Sequence, residues 1–250
     1  MSLLDTTEEL RRHRALLEEL IDDPRRLGPD FQPIRRLGPD ADGDPVGFKA
    51  TGRGQTGTAL SSTLALLESA QATGLVERLD WAFRCLALDV AAEAGVTAEV
   101  SLTPEPETYG SACPPRLFTA FSRGRRALKV AAEVPAAAFA RADLESAVAE
   151  FRSWGWRIVA DDVSDLIASD PSVLRRLEAL RPEVVKLDLT KPGRSTVGTS
   201  AGVRQLMEWA SGAGVEVMAV GVDSQVQAGV ATDLGATLGR GRLLGAPGPL

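Results

Sequence analysis

The sequence predicts an α/β fold, a modified TIM-like (β/α)8 barrel whose first strand runs antiparallel to its neighbour. Three observations predict it. Beyond Gly28, short apolar or β-branched runs alternate with longer helical patterns, as in a largely parallel sheet with crossover helices. Eight such runs fit within 250 residues, a length and a 44% hydrophobic content that suit one barrel with one core. Finally, the first two runs are joined by Gly38-Pro39-Asp40-Ala41-Asp42-Gly43-Asp44, which is rich in turn formers and too short for a crossover helix.

Element by element, the chain opens with a helix. Thr6 followed by Glu9 reads as a capping box, Leu10, Leu17, Leu20 and Ile21 recur at helical spacing, and Pro24 stops the run. Its charged face (Arg11, Arg12, Arg14, Glu18, Glu19) leaves two roles open, docking on the main domain or pairing with a partner helix. Residues 1–30 are therefore read as helix and linker, and residues 31–250 as the barrel domain. The strands are placed at Phe31 to Leu37, Val46 to Thr51, Ala98 to Leu102, Leu128 to Val134, Arg157 to Val163, Val184 to Leu189, Val215 to Val220 and Thr237 to Gly239. Helical patterns fill the gaps at Leu60 to Ala72, Leu75 to Glu93, Pro115 to Ser122, Ala140 to Trp154, Pro171 to Leu180, Ser200 to Ala213 and Ser224 to Leu234. Trp154 and Trp156 read as packing residues.

Composition narrows the chemistry. One His (His13) and two Cys (Cys85, Cys113) cannot build a His-rich or all-cysteine metal site, a disulfide framework or a Ser-His-Asp triad, so catalysis would rest on carboxylates, Lys or hydroxyls. A net charge of −6 argues against a nucleic-acid or anionic-membrane coat. No stretch approaches the ~20 apolar residues of a membrane span, and the N-terminus lacks a signal-peptide pattern, so a cytoplasmic protein is expected. Two distant cysteines in a reducing compartment read as small buried hydrophobes. Gly52 to Gly57 matches neither a dinucleotide nor a P-loop fingerprint and reads as a turn.

In a parallel barrel the functional groups lie at the C-terminal ends of the strands. One strand ends in the adjacent carboxylates Asp161 and Asp162, either a cap and a solvated side chain or oxygen ligands for a hard divalent cation. On the next, Lys186 and Asp188 share a face by the two-residue alternation, where a plain core would carry Val or Leu.

Taken in order, Phe31 to Ile34, Gly47 to Arg53, Val100 to Pro104, Ile158 to Asp162, Val184 to Asp188, Ala219 to Asp223 and Arg240 to Pro247 resemble the motifs of the EAL domain, covering nearly the whole chain from about Phe31. That resemblance implies a barrel with a reversed first strand and, as the family's activity, Mg²⁺- or Mn²⁺-dependent hydrolysis of cyclic di-GMP. It further implies that Asp161 and Asp162 stand at metal positions, that Lys186 lies near the attacking water and phosphate, that Gln32 and Arg53 contact the dinucleotide, and that Asp188 is retained beside them. Separately from the resemblance, Arg240 and Arg242 are candidate ligand-binding residues by charge: with Arg53 and Lys186 they either form a positive, anion-binding rim or point to solvent as surface Arg usually does.

Measured against the family pattern, much of the machinery is substituted. The signature Glu is Lys49, the metal-binding Asn is Ser101, the metal-binding Glu of the next strand aligns with Ala131 and its companion with Val134, and the Glu proposed as general base is Val220. Asp223 replaces a Glu, Arg240 a Gln, and Thr51-Gly52 two Leu that shape the nucleotide site. Val163 to Leu166 replaces a loop that links metal binding to dimer organisation. Lost metal partners cost about 10 to 100-fold each and a lost general base on the order of 10² to 10⁴. The expectation is thus a catalytically degenerate EAL domain acting in cyclic di-GMP-type signalling as a regulatory or protein-interaction module, with or without metal-independent nucleotide binding. It carries no required cofactor, has an unidentified protein partner, and is a monomer or a homodimer. Residual Mg²⁺- or Mn²⁺-dependent phosphodiesterase activity is the alternative, and Glu133, two residues beyond Ala131, could partly compensate for the missing ligand. Lys49 is expected to pair with Asp161 or Asp162.

Overall fold

The computed structural model describes residues 3–38, 43–170, 172–191 and 200–250, with side chains from Glu8 onward in the first helix. Pro39 to Asp42 of the expected connector and Pro171, the expected start of one helix, lie outside the described residues. The strands are β1 (Gly28–Arg36), β2 (Gly47–Arg53), β3 (Glu99–Leu102), β4 (Val130–Pro135), β5 (Arg157–Asp161), β6 (Val184–Asp188), β7 (Glu216–Val220) and β8 (Leu238–Arg240). They close into one barrel in chain order. β1 runs antiparallel to both neighbours, pairing Gln32 with Lys49 on β2 and Arg36 with Leu238 on β8, and the remaining pairs are parallel. The eight expected strands all form, and the short connector gives the expected reversal.

Strand ends follow local chemistry. β5 stops at Asp161 because Asp162 takes a left-handed backbone (φ 51°), a conformation that Asp tolerates better than most residues. β6 stops at Asp188, whose Oδ1 accepts from the Thr190 amide at 2.8 Å and turns the chain. The expected extensions to Val163 and Leu189 therefore do not form. Gly54 follows β2 where an added Cβ would lie 1.8 Å from the Leu60 carbonyl oxygen, so this turn is built on a close backbone approach.

The helices are α1 (Leu3–Asp22), α2 (Thr63–Thr73), α3 (Val76–Glu93), α4 (Phe118–Ala127), α5 (Leu144–Ser153), α6 (Ser164–Ser169), α7 (Ser172–Leu180), α8 (Ala201–Ala213) and α9 (Gln225–Asp233). Ser62, Ser200 and Ser224 cap α2, α8 and α9 through their hydroxyls, which fixes starts the apolar spacing alone placed loosely. Two expected helices begin later because tight 3₁₀ turns, Pro115–Leu117 and Ala136–Ala140, precede them. Six-residue α6 is too short for periodicity to reveal. α1 begins at Leu3, so Thr6 lies within the helix and not at its cap.

Packing separates three layers of core. Inside the barrel, Ile34, Ala131, Val159, Val184, Met218 and Leu238 form a plug. Between barrel and helices lies the main core, including a cluster in which Trp154 stands edge-on to Trp156 (5.0 Å) and Phe121 (5.1 Å). A third cluster docks α1: Leu17, Leu20 and Ile21 are 0% exposed against residues such as Leu66, Ala70 and Leu79. At about 1.5 to 3 kcal/mol for each fully buried aliphatic side chain, this is a substantial interface. Of the two roles open to the leading helix, its apolar face is used for docking. Among the described residues no helix is long and apolar enough to cross a membrane.

Candidate functional site

The two-residue strand period builds the site directly from the plug. Two residues beyond Ala131, Val159, Val184, Met218 and Leu238 stand Glu133, Asp161, Lys186, Val220 and Arg240, and on the reversed β1 the corresponding step from Ile34 is back to Gln32. Lys49 on β2 and Ser101 on β3, paired in register, join this upper layer. Apolar side chains therefore fill the barrel floor, and polar ones crowd the C-terminal mouth.

At its centre is Glu133, which is buried with Lys49, Ser101 and Lys186. Its Oε1 accepts from the Ser101 hydroxyl at 2.7 Å, and its Oε2 accepts from Thr103 Oγ1 at 3.1 Å, Lys49 Nζ at 3.0 Å and Lys186 Nζ at 2.9 Å. Lys186 reaches on to Asp161 Oδ2 at 2.8 Å, while Lys49 also donates to Thr103 Oγ1. Burial pulls the Lys49 ammonium below its ordinary pKa, and Glu133 only partly offsets this. Burial opposes the charge of Glu133 as well, yet Lys186, Lys49 and Arg240 hold that carboxyl well below the usual range. For Lys186 the desolvation penalty is overcome by Glu133 and Asp161, and its pKa rises.

Ala131, the position that the resemblance gives to the metal-binding Glu, lies one layer down among the apolar plug residues, and the carboxylate that β4 places in the upper layer is Glu133. Val134, the position given to the companion of that metal-binding Glu, points outward into the main core. Lys49 does not pair with Asp161 or Asp162; its carboxylate partner is Glu133. The adjacent Asp161 and Asp162 also part company, since the strand alternates: Asp161 faces Lys186 inside the barrel, whereas Asp162 pairs with Lys191.

The other candidates divide. Gln32 and Arg240 meet at the mouth, with Arg240 Nη1 donating to Gln32 Oε1 at 3.1 Å and Gln32 Nε2 donating to the Gly245 carbonyl at 3.1 Å; Arg240 Nε is buried without a hydrogen-bond partner. Val220 does stand in the upper layer, where it offers no titratable group. Arg53 forks onto Asp30 at 3.0 and 3.4 Å. Arg242 pairs with Asp223 at 2.9 and 3.1 Å, its side chain largely exposed. Asp188 accepts from both the amide and the hydroxyl of Thr190.

Beside Lys49 opens a cavity of about 250 Å³, lined by Leu66, Leu79, Asp80, Phe83, Thr103 and Glu105 among others. Phe83 occupies the space that a side chain at Gly52 would need, since an added Cβ there would lie 2.9 Å from its ring. Burial and the nearby Asp80 push Glu105 up to about 7. Neither Phe83 nor Glu105 was singled out from sequence, because both belong to a helix and a loop that only the fold brings to β2.

The family description that matches is the EAL domain, over residues 13–247. The chain belongs to the EAL domain family. Among solved structures, this EAL domain is similar to the Xanthomonas citri FimX EAL domain in complex with c-diGMP (TM-score 0.80, 17% identity, covering 98% of this chain and 97% of that one). It is also similar to the PaMucR phosphodiesterase in its c-di-GMP complex (TM-score 0.73, 20% identity, 94% and 98% covered) and to Klebsiella pneumoniae BlrP1 in a manganese/cy-diGMP complex (TM-score 0.70, 18% identity, 89% and 56% covered). No curated protein matches the chain. These likenesses fix the fold, with its antiparallel first strand.

Would the residues present hold the divalent cation that the family uses? Among the described residues, no group of three or more His, Cys, Asp or Glu is placed to bind a metal ion. In the barrel mouth Glu133 and Asp161 already accept from lysine ammonium groups, and the Lys49 ammonium stands among them. A hard cation needs free carboxylate oxygens, so the donor set does not fit one.

Proposed function

We propose that this EAL domain is catalytically degenerate and acts in cyclic di-GMP signalling as a regulatory or protein-interaction module. The observation that carries the reading is the Lys49 ammonium seated 3.0 Å from Glu133. A divalent cation arriving about 4 Å from that ammonium would meet repulsion on the order of 8 kcal/mol at an effective dielectric of about 20. The carboxylates it would need are also engaged, and Val220 provides no base for an attacking water. In this reading the module is cytoplasmic, works through a protein partner, does not bind nucleic acid, and functions either alone or as a homodimer, with the leading helix bracing a barrel that begins at Gly28.

The test is a cyclic di-GMP hydrolysis assay with Mg²⁺ and Mn²⁺. No turnover above background is expected, and turnover comparable to that of an intact EAL phosphodiesterase would overturn the reading in favour of residual metal-dependent activity.

A second reading, a metal-independent nucleotide receptor, is favoured by one feature of the mouth. Lys49, Lys186 and Arg240 gather around the carboxylates of Glu133 and Asp161, and the partnerless Arg240 Nε lies beside them. Similar domains are solved with c-di-GMP bound. Titration calorimetry with cyclic di-GMP should then give the same affinity with and without EDTA. Binding that requires metal would contradict the receptor reading, and absence of binding would leave the interaction module.

A further inference from the structure

Behind β2, on the side away from the barrel interior, the strand leaves room against its covering helices. Lys49 points into the barrel, so Ala50 and Gly52 face outward: Ala50 packs in the main core, and a Cβ on Gly52 would meet the Phe83 ring of α3. With Leu66 of α2 and Leu79 of α3 they form the apolar part of the cavity of about 250 Å³, and Lys49, Asp80, Thr103 and Glu105 supply its polar rim. Gln32, Lys186 and Arg240 of the barrel mouth are not among its lining residues.

The charges on this rim are compensated unequally. The Lys49 ammonium lies 3.0 Å from Glu133, while Asp80 is paired with Arg84 and accepts from Thr108 Oγ1 at 2.7 Å. Among the described residues, the Glu105 carboxylate has no ion-pair or hydrogen-bond partner; only its backbone carbonyl accepts, from the Thr108 hydroxyl at 2.8 Å and the Thr108 amide at 2.9 Å. An apolar cavity with one uncompensated carboxylate at its edge suits a ligand with an apolar body and a single positive charge. Size sets the body: about 150 Å³ is enough for benzene, so a cavity of about 250 Å³ has room for one ring and a short side chain.

We propose that this cavity is a binding site for a small aromatic amine, with the ring against Phe83 and Leu79 and the ammonium on the Glu105 carboxylate. The site goes beyond the signalling role proposed above and does not depend on it, because cyclic di-GMP is an anion that an ionised Glu105 would repel. Glu105 feels Asp80 and Arg84 on α3, Lys49 on β2 and Glu107 in its own loop. Burial and the two acidic neighbours push its carboxyl up to about 7, against the opposing pull of Lys49 and Arg84. An ammonium binds the ionised form, so its affinity rises as pH climbs through 7, whereas that of an uncharged analogue stays level.

The test titrates the full chain by calorimetry with three probes of similar shape: phenethylamine, 2-phenylethanol and 3-phenylpropionate. Phenethylamine should bind at least about tenfold more tightly than the alcohol, as a charge-assisted hydrogen bond requires, and the carboxylate should bind most weakly. Between about pH 6 and about pH 8 the amine should gain up to about tenfold in affinity while the alcohol gains none. Equal affinity for the three probes, tightest binding of the carboxylate, or no amine binding at millimolar concentration would each overturn the proposal. In Glu105→Gln the advantage of the amine over the alcohol should shrink to within about twofold, and a retained tenfold preference would overturn the assignment of Glu105. Gly52→Leu, which fills the cavity, should abolish binding of both, and undiminished binding to that folded variant would overturn the location. If Gly52→Leu does not fold, the wild-type probe and pH series together with Glu105→Gln decide the question.

Discussion

Glu133 sits between two ammonium groups, so what it loses depends on which partner is removed. Glu133→Gln leaves Lys49 and Lys186 facing each other across a buried gap, and breaking such a cluster costs about 3 to 5 kcal/mol. Lys49→Met leaves the carboxylate with Lys186, Ser101 and Thr103 and should cost clearly less, on the order of 1 to 2 kcal/mol. Urea unfolding of both variants checks the order, and equal losses would show that Lys49 is not held by Glu133. Lys49→Glu by itself should restore no phosphodiesterase activity, because Val220 and Ser101 remain; recovery of turnover in the hydrolysis assay would contradict this. The pH dependence has two signs. Glu133 is held low, so its stabilisation is present above the ordinary carboxyl range and is lost as pH falls below it. Glu105 is pushed up to about 7, so its contribution is full below about 4.5 and is lost as pH rises towards 7. Glu105→Gln should flatten the fall in stability across that window, as read by denaturation at a series of pH values. Lys49, Asp161, Lys186, Gln32 and Arg240 were legible as site residues from strand-end motifs. Glu133 was seen only as a possible stand-in, because counting along a motif does not reveal which layer of the barrel a residue occupies.

Helices and strands show where sequence signals are strong. The strands of this barrel are visible because β-branched runs alternate with helical spacing, and their ends shift by one to three residues, at β5 because Asp162 takes a left-handed backbone. Caps set helix starts: Ser200 accepts from the Val203 amide at 3.3 Å, and Ser200→Ala should lower stability by about 1 kcal/mol, measurable as a reduced denaturation midpoint. α6 escaped notice because six residues give less than two turns of pattern. For α1, the sequence offered an apolar stripe without its destination, and the destination is α2 and α3. Leu17 is fully buried there, so Leu17→Ala should cost about 2 to 5 kcal/mol. A loss below about 1 kcal/mol in chemical denaturation would mean that α1 is peripheral.

Across the whole molecule, closure of the sheet is what turns separate motifs into a site. Removing residues 1–30 would uncover Leu66, Ala70 and Leu79 and delete the first residues of β1, so the shortened chain should melt at lower temperature and bind an apolar dye such as ANS; an unchanged melting point would contradict an integral role for the leading helix. The sequence by itself determined the barrel, the reversal of β1 and the EAL membership, because alternation, connector length and motif order are local properties that survive divergence to under 20% identity with several similar structures. Only the tertiary structure decided which carboxylate stands at the centre and which carboxylate each lysine meets. Those depend on strand stagger and on contacts between residues far apart in the chain, where a shift of one residue in register exchanges the inside of the barrel for the outside.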